Sequence, residues 1–326
     1  MKGERAVKSC YWGLLVHLGF NMWAEPETDR DGVRGIPQVF GPQTAAQYRL
    51  RFEEPLFWET LADLSEAGGN LLVLDIGEGM QYESHPELAV PGSYSKDALR
   101  ELIVRARGMG FTVVPKLNFS TCHDFWMGPY ARMVSTPEYY RFCEDVIGEV
   151  CEVFDNPPLF HLGMDEESET CQHYYNMVCF RRGELWWHDL NFLFRTVLRL
   201  GVRPWIWSDM IWDHEEEFLR RMSRDAVQSN WFYGQFPEGE AFSSRHTRAF
   251  RILEENRFDQ IPTGCMMFRE SNFPELSKIL TPAIAPHHLL GFLQTTWYPM
   301  TETYREKHRI STKVLGDAVA DSRAFR

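Results

Sequence analysis

Gly69-Asn-Leu-Leu-Val-Leu-Asp-Ile-Gly77 is a short, almost unbroken apolar run bounded by glycines, and its reading decides the fold. Residues 54–67 before it and 95–108 after it carry apolar residues at helical spacing, and a second apolar run follows at 111–119. Gly68-Gly69 and Gly108-Met-Gly110 stop the two helical patterns just ahead of the two runs, as glycines do past helix ends. A strand without polar alternation is buried on both faces, which happens in a parallel sheet covered by helices.

Working outward, the same unit recurs. Apolar or aromatic runs occur at residues 11–19, 69–77, 111–119, 159–166, 203–210, 226–233, 262–268 and 291–299. Helical patterns lie between them at 54–67, 95–108, 136–154, 184–200, 213–224 and 243–256. The seventh connection, 273–288, is weaker because Pro282 and Pro286 break it, and a last helix is expected over 301–318. Ser95-Lys-Asp-Ala and Thr136-Pro-Glu-Tyr supply capping hydroxyls, the second with proline at the first helical position. Eight strand–helix units closing on themselves predict an α/β fold, a (β/α)8 TIM barrel. A doubly wound sheet is the runner-up, but His17-Leu-Gly-Phe-Asn after the first strand is not a glycine-rich phosphate loop. With no linker or internal repeat, residues 1–326 read as a single barrel domain without an accessory domain. Strand one starts near residue 11 and strand eight ends near 299. Residues 20–52, rich in Gly and Pro, are expected as a loop on the site face.

Composition narrows the function classes. The 326 residues hold 34 Lys plus Arg against 46 Asp plus Glu, a formal charge of −12. A nucleic-acid backbone or an anionic membrane needs clustered cations, so neither is expected as partner. The apolar runs fall far short of the roughly 20 residues of a spanning helix. The 44% hydrophobic and 14% aromatic content argues against disorder. Seven scattered cysteines without a CxxC pair suggest core thiols in a reducing compartment. The basic start (Lys2, Arg5, Lys8) followed by residues 11–20 reads as a strand and not a secretion signal, so a cytoplasmic location is expected.

In such barrels the reactive groups sit at the C-terminal ends of strands. Those ends carry Asp75 and Glu78, Lys116 and Asn118 with His123 shortly after, then Asp165-Glu166-Glu167. Further round come Trp207 and Asp209, Trp231 and Tyr233, Phe268 to Glu270, and Trp297. Carboxylates with Trp and Tyr, and no phosphate clamp, point to a carbohydrate pocket: ring faces stack on sugar C–H surfaces while carboxylates do acid–base work. His17 lacks an HxH partner, so no metal and no cofactor are expected. His161 inside a strand and the Trp186-Trp187 pair inside a helix read as core.

His161-Leu-Gly-Met-Asp165-Glu166 resembles the HxGGDE signature of the β-N-acetylhexosaminidases, glycoside hydrolase family 20, which closes strand four of their barrel. Asp75-Ile-Gly-Glu-Gly-Met with His85-Pro-Glu-Leu is similar to the family's strand-two segment. The stretch from Val114 through Lys116, Asn118 and Ser120 to His123 is similar to its strand-three segment. Trp205-Ile-Trp-Ser-Asp, the Asn230-Trp231 end and Thr295-Thr-Trp297 are similar to its later Trp-bearing ends. The resemblance implies substrate-assisted, retaining hydrolysis of a terminal, 2-acetamido sugar. Glu166 would then be the general acid, and Asp165 would orient the acetamido group whose oxygen attacks the anomeric carbon. It also implies a substrate-binding set of Asp75, His123, Trp207, Asp209, Trp231, Tyr233 and Trp297, and a carbohydrate as partner.

The chain departs from that family at Trp12, where an Arg is usual, at Lys116 and Asn118, where acids are usual, and at Met164 in place of a glycine. It therefore reads as a divergent member. Two alternatives remain at this level: a two-carboxylate retaining glycosidase with Glu270 as nucleophile, and a carbohydrate-binding barrel without activity.

Overall fold

The computed structural model describes residues 10–23, 42–172 and 177–324. Lys2, Arg5 and Lys8 and residues 24–41, most of the glycine- and proline-rich loop, lie outside the described residues. Eight parallel strands form one sheet: β1 (Tyr11–His17), β2 (Leu71–Asp75), β3 (Thr112–Lys116), β4 (Leu159–His161), β5 (Arg203–Trp207), β6 (Val227–Ser229), β7 (Thr263–Cys265) and β8 (Gly291–Thr295). Successive strands pair from β1 through β6, β7 pairs with β8, and β8 with β1. Bridges from Gln228 to Gln260 and from Trp231 to Thr263 join the β6 and β7 segments, so the ring closes as a (β/α)8 barrel.

The helices are α1 (Glu54–Glu66), α2 (Lys96–Gly108), α3 (Pro137–Val153), α4 (Glu169–Gln172), α5 (Glu184–Arg199), α6 (Met210–Asp213), α7 (Glu215–Arg221), α8 (Arg245–Glu255), α9 (Asn272–Leu280) and α10 (Arg305–Ala324). Ser95, Thr136 and Ser244 accept hydrogen bonds from Ala98, Tyr139 and Thr247 N–H, capping α2, α3 and α8. The helix expected over 213–224 is α7, and the short α6 precedes it, set apart because His214 leaves helical geometry (φ −132°, ψ 42°). The weak seventh helix ends at Leu280, ahead of Pro282. Among the described residues no helix is long and apolar enough to cross a membrane.

Strand parity divides the core. Leu15, Leu71, Val73, Val114, Leu159, Trp205, Val227, Ile261 and Leu293 pack inside the barrel, while Leu14, Leu72, Leu74, Val113 and Phe160 join the layer under the helices. Two residues further along, the inward rows turn polar: His17, Asp75, Lys116, His161, Ser229, Thr263 and Thr295, all buried. Side chains on a strand alternate faces, so these groups continue the same rows. They form a polar floor at the C-terminal mouth.

One buried ion-pair network ties that mouth to the helix layer. Arg181 lies between Glu167 and Asp189 of α5, all three with side chains 1% exposed, and donates to the Phe119 carbonyl at 2.7 Å. Ser135 Oγ and Tyr140 OH donate to Asp189 at 2.6 Å each. Removing one member of a buried pair strands the other charge, at a cost of about 3–5 kcal/mol. Arg181→Ala is therefore expected to lose about that much in urea unfolding. Arg199→Ala, which removes the solvent-exposed pair with Glu144, should cost under about 1 kcal/mol. Equal costs for the two variants would contradict the structural role given to Arg181.

Candidate active site at the barrel mouth

The chain leaving β4 does not continue extended. Gly163, Met164 and Glu166 have φ of 71°, 72° and 59°, so the backbone turns back on itself and both neighbouring acids reach the mouth. Glycine is required at 163, since a Cβ there would sit 1.9 Å from Asn118 Oδ1. Asn118, at the end of the β3 segment, organises this turn. Its Oδ1 accepts from Met164 and Ser120 N–H at 3.2 and 3.0 Å, and its Nδ2 donates to Asp165 Oδ1 at 2.8 Å. Ser120 Oγ donates to the Asp165 carbonyl, and Cys122 Sγ to the Glu166 carbonyl at 2.6 Å.

His123 lies between the two acids, with Nδ1 3.3 Å from Asp165 Oδ1 and Nε2 3.5 Å from Glu166 Oε2. Burial disfavours a charged ring, but the two carboxylates and their bonds outweigh it and raise the His123 pKa to about 10. Burial likewise works against an ionised Asp165, yet the His123 cation, Asn118 and Lys116 lower its pKa to about 2. His123, Asp165 and Glu166 also form a group with metal-ligand chemistry. Each ring nitrogen already faces one carboxylate, however, so the arrangement is that of an imidazolium bridging two acids. Asp209, just past β5, accepts from the Glu166 N–H at 2.8 Å through Oδ2. Its burial, and next the Asp165 charge, push its carboxyl well above the usual range.

An aromatic wall faces these acids. Trp207 is buried, its ring centroid 4.3 Å from that of His161 and 6.2 Å from that of Trp297. Trp297 Nε1 donates to Tyr233 OH at 3.3 Å, and Trp231 stacks on Tyr233 at 5.0 Å. Trp23 closes the circle, 5.8 Å from Trp297 and 6.0 Å from His123. The indole N–H groups of Trp207 and Trp231 are buried without a hydrogen-bond partner among the described residues.

Of the residues expected at the site, Asp165, Glu166, His123, Asp209, Trp207, Trp231, Tyr233 and Trp297 thus come together. Asp75 takes a different place from the substrate carboxylate expected. It is buried in the polar floor, bonded to Lys116 and 3.2 Å from His17, because it follows Val73 on an inward row. Glu270 is exposed and its charge acts on Lys313 of α10; no described contact links it to the Asp165–Glu166 pair. Trp12, where the family 20 pattern has an arginine, stacks on Phe292 at 5.2 Å under the helices, since its parity is outward. His161 is a core histidine whose Nδ1 accepts from Gly163 N–H at 3.1 Å. Glu78 holds the chain after β1 by accepting from Phe20 and Asn21 N–H. Sequence reading missed Trp23, Arg181 and the anchoring role of Asn118. Only Asn118 carried a signal, its place at a strand end.

Fold and site together describe a (β/α)8 barrel with a carboxylate pair facing an aromatic wall at its C-terminal mouth. The sequence matches no protein-family model. Among solved structures, the fold is similar to that of a chitobiase from Flavobacterium johnsoniae (TM-score 0.59, 15% identity, over 81% of this chain and 46% of that one). It is similar to a family 20 exo-β-N-acetylglucosaminidase from Vibrio harveyi, solved with N-acetylglucosamine (TM-score 0.61, 13% identity, 96% and 56%). A β-N-acetylhexosaminidase from Bacteroides fragilis aligns similarly (TM-score 0.60, 14% identity, 97% and 70%). This chain spans about half the length of the first two. At such identities the likeness establishes the barrel fold.

The electrostatics have a measurable consequence. A histidine raised from the usual 6.5 to about 10 contributes stability that is fully present below pH 6.5 and lost as pH rises through 10. Asp165, lowered from 3.8 to about 2, contributes above pH 3.8 and loses it as pH falls through 2. An NMR titration of the His123 imidazole should find it protonated at pH 8, with its midpoint well above 8. A neutral ring at pH 8 would contradict the bridging assignment.

Proposed function

We propose that the protein is a glycoside hydrolase acting on a terminal 2-acetamido sugar by substrate-assisted, retaining hydrolysis. The observation that carries this reading is the division of labour between the adjacent acids. Asp165 uses Oδ1 for Asn118 and His123, which leaves Oδ2 without a described partner and able to accept the acetamido N–H. Glu166, with a side chain 38% exposed, is the acid that reaches the opening. The sugar would lie against Trp207 and Trp297, with the free indole N–H groups of Trp207 and Trp231 as donors to its hydroxyls.

In the first step the acetamido carbonyl oxygen attacks C1 while the bond from C1 to the leaving oxygen breaks. Glu166 gives its proton to that oxygen, and Asp165 stabilises the positive charge that develops on the acetamido nitrogen. In the second step Glu166 takes a proton from water, which adds to C1 and reopens the ring with net retention. Because His123 Nε2 stands 3.5 Å from Glu166 Oε2, a proton can also pass between ring and carboxyl. Support from outside the site is the barrel fold shared with chitobiase and β-N-acetylhexosaminidase structures.

Aryl glycosides with and without a 2-acetamido group test the reading. Glu166→Gln should lower turnover by roughly 10²–10⁴-fold on poor leaving groups and far less on activated ones, which do not need the proton. Asp165→Asn should impair 2-acetamido substrates selectively. Unchanged rates in both variants, or equal wild-type turnover of 2-acetamido and 2-hydroxy sugars, would refute substrate assistance. A wild type that binds the sugar but cleaves none of the substrates would instead favour a binding barrel.

A further inference from the structure

We infer that Asp209 is a positioning residue for Glu166: the hydrogen bond its Oδ2 accepts from the Glu166 N–H holds Glu166 in the left-handed conformation that aims its carboxyl into the mouth. This inference rests on the role proposed for Glu166, while its structural part does not.

A glutamate has no intrinsic preference for φ of 59°, a region that L-residues other than Gly, Asn and Asp rarely occupy. Something outside the turn must therefore hold it. The peptide after Glu166 is tied by Cys122 Sγ and Ser168 N–H, which both donate to the Glu166 carbonyl. The peptide before it is tied at its N–H by Asp209 alone among the described residues. Asp209 sits at the head of α6, where Ile211 and Trp212 N–H return to the Ser208 and Asp209 carbonyls. The restraint on Glu166 is thus mounted on a different strand from the acid it restrains.

The surroundings of this acceptor are acidic. Asp165 and Glu166 face Asp209 from the β4 end, and the His123 cation faces those two acids from the β3 segment. Among the described residues no Lys, Arg or His touches Asp209, and its buried Oδ1 has no partner. Burial, and next the Asp165 charge, push the Asp209 carboxyl well above the usual carboxylate range, and in either protonation state an oxygen can accept from the Glu166 N–H. An amide can do the same, whereas a methyl or isobutyl group cannot.

The test compares wild type, Asp209→Ala, Asp209→Leu and Asp209→Asn on 2-acetamido glycosides with poor and activated leaving groups, together with crystal structures of the variants. Asp209→Ala and Asp209→Leu should lose on the order of 10²-fold in kcat on the poor leaving group, with KM little changed, and under tenfold on the activated one. Asp209→Asn should recover most of that loss, because its amide oxygen can still accept from the Glu166 N–H. In the Ala and Leu structures Glu166 should leave positive φ. A φ still near 59° overturns the inference, as does an equal loss on both leaving groups or an Asn variant as impaired as Ala. Should wild type cleave none of the glycosides, the functional reading fails and the crystallographic comparison alone decides the positioning role. The Leu variant, which fills the aspartate's volume, keeps the test available if Ala does not fold.

Discussion

The imidazolium of His123 between Asp165 and Glu166 is the interaction on which the mouth of this barrel depends. Three carboxyl groups, those two and Asp209, are brought together at the ends of adjacent strands. Like charges that close in a partly buried site cannot all remain ionised without a counter-charge. The shifts divide accordingly: the two acids raise the His123 pKa, His123 and Asn118 lower that of Asp165, and burial with the Asp165 charge pushes Asp209 up. The same arrangement fixes geometry, because the ring contacts one oxygen of each neighbour while Asn118 holds the turn below.

The barrel makes this possible through strand parity. Inward rows that fill the interior with Leu, Val and Trp end in His17, Asp75, Lys116 and His161. The apolar part excludes water and stabilises the closed sheet, and in the polar part Asp75 joins the ends of three strands, bonded to Lys116 and 3.2 Å from His17. The acid pair therefore stands above a bonded floor. The acids come from the turns just beyond, and the Arg181 network links them to α5. Positions where the sequence departs from the family 20 pattern acquire physical meaning on this floor. Asn118 replaces a charge with a hub that accepts twice and donates once, and Lys116 pairs with Asp75 in the floor.

Much of the fold was legible because two-sided burial writes apolar runs into the sequence, as in residues 69–77, and glycines mark where helices give way to strands. The acids of the site were legible because Asp165 and Glu166 fall where the fourth run stops. Asp75 shows the limit: its place two residues after Val73 puts it on an inward row, so parity would have assigned it to the floor. The pairing of Arg181 with Glu167 and Asp189 had no local signature, since the partners meet through a loop and a helix face. The break at His214 also had none, as no Pro or Gly marks it. Trp23 was hidden because an aromatic residue in a loop says nothing about the wall it will join.

A crystal structure of the wild-type protein soaked with N-acetylglucosamine tests the central claim most directly. The sugar ring is expected against Trp207 and Trp297, with its acetamido N–H within roughly 3 Å of Asp165 Oδ2 and its anomeric oxygen within similar reach of Glu166. A sugar bound with neither carboxylate in hydrogen-bond range, or bound away from the aromatic wall, would contradict it.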